Sequence, residues 1–135
     1  MKEYDLQRLI NSPSITDEKI TELMDKELLF KQDVDEEEIK GHLLKADHNL
    51  RFVEFISKEP FQDWALTGCY YSCYHSALAL IQTKGYTSKN HLATLCVIIK
   101  DFYEKELSKK DVEKLRIQFA MFVNKIKGIL AESGY

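Results

Sequence analysis

Apolar residues recur at helical spacing along nearly the whole chain. Leu6, Leu9 and Ile10 predict a short helix over residues 3–11, which Ser12-Pro13-Ser14 interrupts. Ser14 with Asp17 three residues on forms a capping-box pattern, and Ile20, Leu23, Met24 and Leu28 follow at helical steps, predicting a helix over 16–30. Residues 31–38 are strongly charged. Within them Asp33 or Asp35 can cap the next helix, with Glu36, Glu37 and Glu38 favourable at its positive end. Ile39, Leu43, Ala46, Leu50 and Val53 then repeat in a four-three rhythm, the seam of a packed helix running from about residue 35 to 58. Glu59-Pro60 ends it, and Pro60 is tolerated in the first turn of the helix that follows.

That following helix, over about 60–84, carries two seams. Leu66, Tyr70, Cys73, Ala77 and Leu80 form one, and Trp64, Tyr71, Tyr74, Leu78 and Ile81 the other, with Thr67, Gly68, Ser72 and Ser76 between them. A helix apolar on several sides is buried on several sides, so it lies at the middle of a bundle or against another subunit. Lys84-Gly85 reads as a helix stop, and Thr87 or Ser88 as the cap of a helix over 89–104 with Leu92, Leu95, Cys96, Ile99, Phe102 and Tyr103 on one side. Ser108 and Asp111 make another capping box. The last helix runs to about Glu132 on Val112, Leu115, Phe119, Phe122, Ile126 and Ile129. No useful strand-like alternation occurs. The expected fold is all-α, an antiparallel up-and-down bundle of four to five helices with a short N-terminal helical extension.

Composition agrees. Five Gly and two Pro in 135 residues supply little turn chemistry for a many-stranded fold, and 44% apolar with 30% charged residues suits one packed domain. The longest apolar run, Leu95 to Ile99, is far short of a membrane span, and the N-terminus has no signal-peptide pattern. Three Cys, an odd number, argue against a disulfide scaffold and for a reducing cytoplasm. Charge is segregated: residues 1–59 carry a net −6 and residues 60–135 a net +3. A basic second part suits self-association or an anionic ligand, with Lys89, Lys109, Lys110, Lys114 and Arg116 as the expected cations.

No phosphate-binding loop, dinucleotide fingerprint, nucleophile elbow or zinc-protease motif is present. Cys69 and Cys73 lie one turn apart without a third ligand nearby, so they read as core residues and no metal or cofactor is expected. His42 and His48 read as surface residues of a charged helix. The remaining cluster is His75 with Lys89, Asn90 and His91. A short turn between the two helices would make them antiparallel neighbours, with His75 about 15 Å down the helix and His91 beside the turn, so the two rings would not meet within one subunit. His91 in a first turn has its pKa lowered by the helix dipole, which suits a neutral base; hydrogen bonding to the loop is the other use of such a residue.

The run Asp63 to Leu80, with Tyr70-Tyr71-Ser72 and Tyr74-His75-Ser76-Ala77, followed by Gly85 and Ser88-Lys89-Asn90-His91, resembles the HEPN domain family. The likeness covers about residues 36–130, so residues 1–33 read as an N-terminal helical extension and 34–135 as a HEPN-like helical bundle. It implies a four- to five-helix bundle, a homodimer, and a place among small prokaryotic proteins often paired with minimal nucleotidyltransferases in toxin–antitoxin modules. Many members are metal-independent RNases that use an Arg with His four to six residues downstream. Here Arg8, Arg51 and Arg116 have no His at that distance, and Lys84 lies seven residues before His91. A Lys does not offer the planar two-point clamp of Arg. The expectation is therefore a dimeric binding protein with no membrane segment, taking a nucleotide, an RNA or a partner protein. Its expected ligand site is Tyr71, His75, Lys89, Asn90 and His91. The alternative is an endoribonuclease with a diverged site, His91 as base and Lys89 as stabilising cation.

Overall fold

The computed structural model describes residues 3–112, 131, 132 and 134. The expected last-helix seam from Leu115 to Ile129, with Lys114 and Arg116, lies outside the described residues. Those described form an all-α bundle with one small sheet: α1 (Glu3–Asn11), α2 (Pro13–Asp25), β1 (Leu29–Lys31), α3 (Glu36–Ile56), α4 (Gln62–Gln82), β2 (Tyr86–Ser88) and α5 (His91–Phe102). Among the described residues no helix is long and apolar enough to cross a membrane.

Helix ends depart from expectation where the chemistry is local. Ser12, not Ser14, caps α2 by accepting from the Ile15 N–H, and Pro13 occupies its first turn. The helix stops at Asp25 rather than 30. Glu27 adopts φ +58°, and the Leu28 and Glu27 N–H groups bond back to the Leu23 and Met24 carbonyls. This is a Schellman ending with Glu in the left-handed position that Gly usually fills. Asp35 caps α3 through the Glu37 and Glu38 N–H groups. Pro60 stands outside α4, whose N-cap is Phe61. The Ser108–Asp111 capping box forms in both directions, Ser108 N–H to Asp111 Oδ2 at 2.9 Å and Asp111 N–H to Ser108 Oγ at 3.3 Å.

Residues 29–31 and 86–88, read as helix end and cap, instead pair as antiparallel strands, Leu29 with Ser88 and Lys31 with Tyr86. Gly85, at φ +80°, turns the chain into β2, and its carbonyl accepts from the Gln32 N–H at 2.9 Å. Asn90, rather than Thr87 or Ser88, caps α5 by accepting from the Ala93 N–H at 2.7 Å.

The core is centred on α5 and the C-terminal half of α4. Ala93 to Ile99 are all buried, as are Ser76 to Gln82, so α5 is enclosed all round rather than on one side. Leu9, Ile10, Ile20, Leu23 and Leu29 join the same core, so α1, α2 and β1 contribute to it directly. The N-terminal half of α4 is different. Its small residues Ala65, Gly68 and Ser72 are buried, while Trp64, Leu66 and Tyr71 are exposed. The small residues let α3 approach closely: the Ser72 hydroxyl donates to the Ala46 carbonyl at 2.8 Å, and a Cβ on Gly68 would lie 2.7 Å from Val53 Cγ2.

Candidate functional site

Residues 83–90 do not make a tight turn between α4 and α5. The chain leaves α4, pairs as β2 and starts α5 beside the middle of α4, so His91 meets Tyr70 and Tyr74. At the other end of α5, the ring of Phe102 lies 5.4 Å from the Lys84 ammonium. A short turn would keep His91 beside the end of α4; the β1–β2 pairing carries it back along the helix.

The result is an open cleft of about 360 Å³ lined by Tyr70, Tyr71, Tyr74, Lys89, Asn90 and His91. The rings meet edge to face, with centroids 5.1 Å apart for Tyr70–His91, 5.4 Å for Tyr74–His91 and 5.3 Å for Tyr70–Tyr71. This is the arrangement in which an aromatic edge meets a neighbour's π face. The Tyr70 hydroxyl contacts His91 Nε2. Burial lowers the His91 pKa below its ordinary value, and its place in the first turn of α5 acts in the same direction. The imidazole is therefore neutral at pH 7. Lys89 is exposed and its ammonium sits 5.1 Å over the Phe30 ring, held at the cleft's edge by cation–π attraction. Asn90 spends its side-chain oxygen on the helix cap, so its part in the cleft is to fix the start of α5.

Of the expected site residues, Tyr71, Lys89, Asn90 and His91 share this cleft. His75 does not line it. It turns toward α3, where its Nδ1 lies 3.0 Å from Nδ1 of His42. His42 is consequently half-buried, not a surface residue, whereas His48 is exposed. Tyr70 and Tyr74 carried a signal, since both sit in the α4 seams, but seam position alone reads as core. Lys109 and Lys110 are exposed, and neither lines the cleft; nor do Arg8 and Arg51. Cys73 and Cys96 are buried, and burial pushes their thiols up to about 12 and about 11, which makes them packing residues.

Chemically, the cleft offers aromatic faces for a planar group, one cation for an anionic group, and a neutral imidazole between them. Compared with known proteins, the chain matches no family model, no curated protein and no solved structure.

Proposed function

We propose that this chain is a HEPN-type dimeric binding protein that takes a nucleotide or a short single-stranded RNA segment in the tyrosine cleft. Its setting would be a toxin–antitoxin or nucleotidyltransferase-paired system. The observation that carries the reading is the meeting of Tyr71, Tyr74, Lys89 and His91 in one open cleft. Base faces stack on aromatic side chains with little regard to sequence, and a nearby Lys meets the phosphate. The resemblance over residues 36–130 supports the family reading, and the cleft supports the ligand chemistry.

The second reading, a metal-independent endoribonuclease, is favoured by the neutral His91 beside a hydroxyl. Against it stands the cleft's cation set. Among the described residues lining it Lys89 is the cation and no Arg is present. Loss of one preorganised stabiliser of transition-state charge typically lowers a rate by about a hundred- to a thousandfold. One experiment separates the two. Purified protein is titrated with a short oligoribonucleotide in EDTA, at low and high salt, and the RNA is then run on a gel. Binding that weakens with salt while the RNA stays intact supports the binding protein, since counterions are released as phosphates are met. Cleavage that vanishes in His91→Ala installs the nuclease, and neither binding nor cleavage removes both.

The dimer has its own support. Phe55, Phe61, Trp64 and Leu66 are 47–70% exposed on α3, α4 and the segment between them. Exposed apolar surface of this kind marks interaction sites. Light scattering should give a mass near twice 15.8 kDa at micromolar concentration; a species of 15.8 kDa alone would refute it.

A further inference from the structure

The α3–α4 seam contains a contact that the tyrosine cleft does not use. His42 on α3 and His75 on α4 place their Nδ1 atoms 3.0 Å apart, with ring centroids 5.2 Å apart and planes inclined by 26°. The centroid separation equals the nitrogen separation plus about one ring diameter, so the two nitrogens face each other head-on rather than stacking. Two bare lone pairs at this distance repel, and so do two N–H groups. The geometry requires one proton in the gap, donated by one ring and accepted by the other. Glu38 Oε1 lies 4.0 Å from the outer nitrogen of His42, which favours an Nε2–H there and makes His75 the donor across the gap.

The surroundings make this contact consequential. Near the pair, polar ties link α3 to α4: Gln82 Nε2 donates to Glu38 Oε1 at 3.0 Å, and Ser72 to the Ala46 carbonyl. The Ser76 hydroxyl, next to His75, is buried without a partner. Among the described residues, the charged groups acting on the pair are Glu38 and Lys45, both from α3. From α4, Tyr74 lies edge-on to His75, and the charged residues of that region, Asp63 and Lys84, are more than two turns away along the chain.

We infer that the His42–His75 contact is a proton-operated latch between α3 and α4, closed while one proton occupies the gap and open when both imidazoles are cations. A first added proton leaves the bridge intact, because the pair still presents one N–H and one lone pair across the gap. A second fills both facing nitrogens and turns attraction into repulsion, so the pair titrates as a unit. Burial, the other ring and Lys45 lower the His75 pKa to about 4, and burial lowers that of His42. Because the closed form disfavours protonation, its advantage is complete above the ordinary His value of about 6.5 and is lost as pH falls toward about 4.

The test uses the full chain with ¹⁵N-labelled histidine. At pH 8, long-range ¹H–¹⁵N spectra should show His75 as the Nδ1–H tautomer, His42 as the Nε2–H tautomer, and a scalar coupling between their Nδ1 atoms. Between pH 7 and pH 4 the coupling should vanish. Amides of α3 and α4 flanking the pair should lose about tenfold or more in hydrogen-exchange protection, after correction for intrinsic rates, while α5 stays protected. In His75→Gln that acid-dependent loss should be absent. Two Nε2–H tautomers without coupling in the wild type would overturn the latch, as would an unchanged acid opening in His75→Gln. If that variant does not fold, the wild-type tautomers and coupling decide alone.

Discussion

Gly68→Val should lower the stability of the chain by about 1–3 kcal/mol, the range for overpacking a tight contact. A Cβ at this position would lie 2.7 Å from Val53 Cγ2 and 3.1 Å from Phe52 Cδ1, and Val adds two further methyl groups in the same direction. Val53 is β-branched and stiff at χ1, so it yields only by shifting α3. Gly68→Ala is the informative partner. Ala gains about 1 kcal/mol of helix propensity over Gly, which offsets much of the contact strain, so the Ala variant should stay within about 1 kcal/mol of wild type. Urea denaturation midpoints measure both. A Val variant with the wild-type midpoint would mean that the α3–α4 approach at Gly68 is looser than described.

The second large effect concerns the cleft and rests on the proposed ligand. Tyr71→Ala should weaken binding of a short single-stranded oligoribonucleotide about ten- to a hundredfold, the equivalent of one lost base–aromatic stack at about 1–3 kcal/mol. Tyr71 is 47% exposed and makes an edge contact with Tyr70, so its removal should cost little stability. Tyr71→Phe keeps the π face and should bind nearly as well as wild type. Fluorescence anisotropy at fixed ionic strength reads all three proteins. Equal affinity for Tyr71→Ala would place the ligand elsewhere.

The parts of the fold that were legible in the sequence are those set by long periodic patterns. The seam from Ile39 to Val53 marked α3, and Leu6, Leu9 and Ile10 marked α1 to the residue. What was hidden is local or non-local in specific ways. The end of α2 turns on Glu27 in a left-handed conformation, and without a Gly there the sequence carries no stop signal. Three-residue strands are too short to show a period of two, and their pairing joins positions 29 and 88, which no local pattern reports. The candidate site suffered from the same gap. Tyr71, Lys89, Asn90 and His91 line one cleft and His75 does not, and the strand that carries His91 beside Tyr70 and Tyr74 leaves no local pattern in the sequence. His42 looked like a surface residue because its partner, His75, sits on another helix at 3.0 Å.

The small sheet has a kinetic consequence. Its two strands form the neck of an excursion: everything from residue 32 to 85, including the whole α3–α4 hairpin, lies between them. Closing a long flexible loop carries an entropic cost, whereas a preformed helical hairpin already brings its two ends together. The neck is therefore expected to close after the hairpin, with α5, anchored by β2, docking last. Weakening the hairpin at Gly68 should for this reason slow refolding as well as speed unfolding, a signature that the folding limb of a chevron plot displays directly.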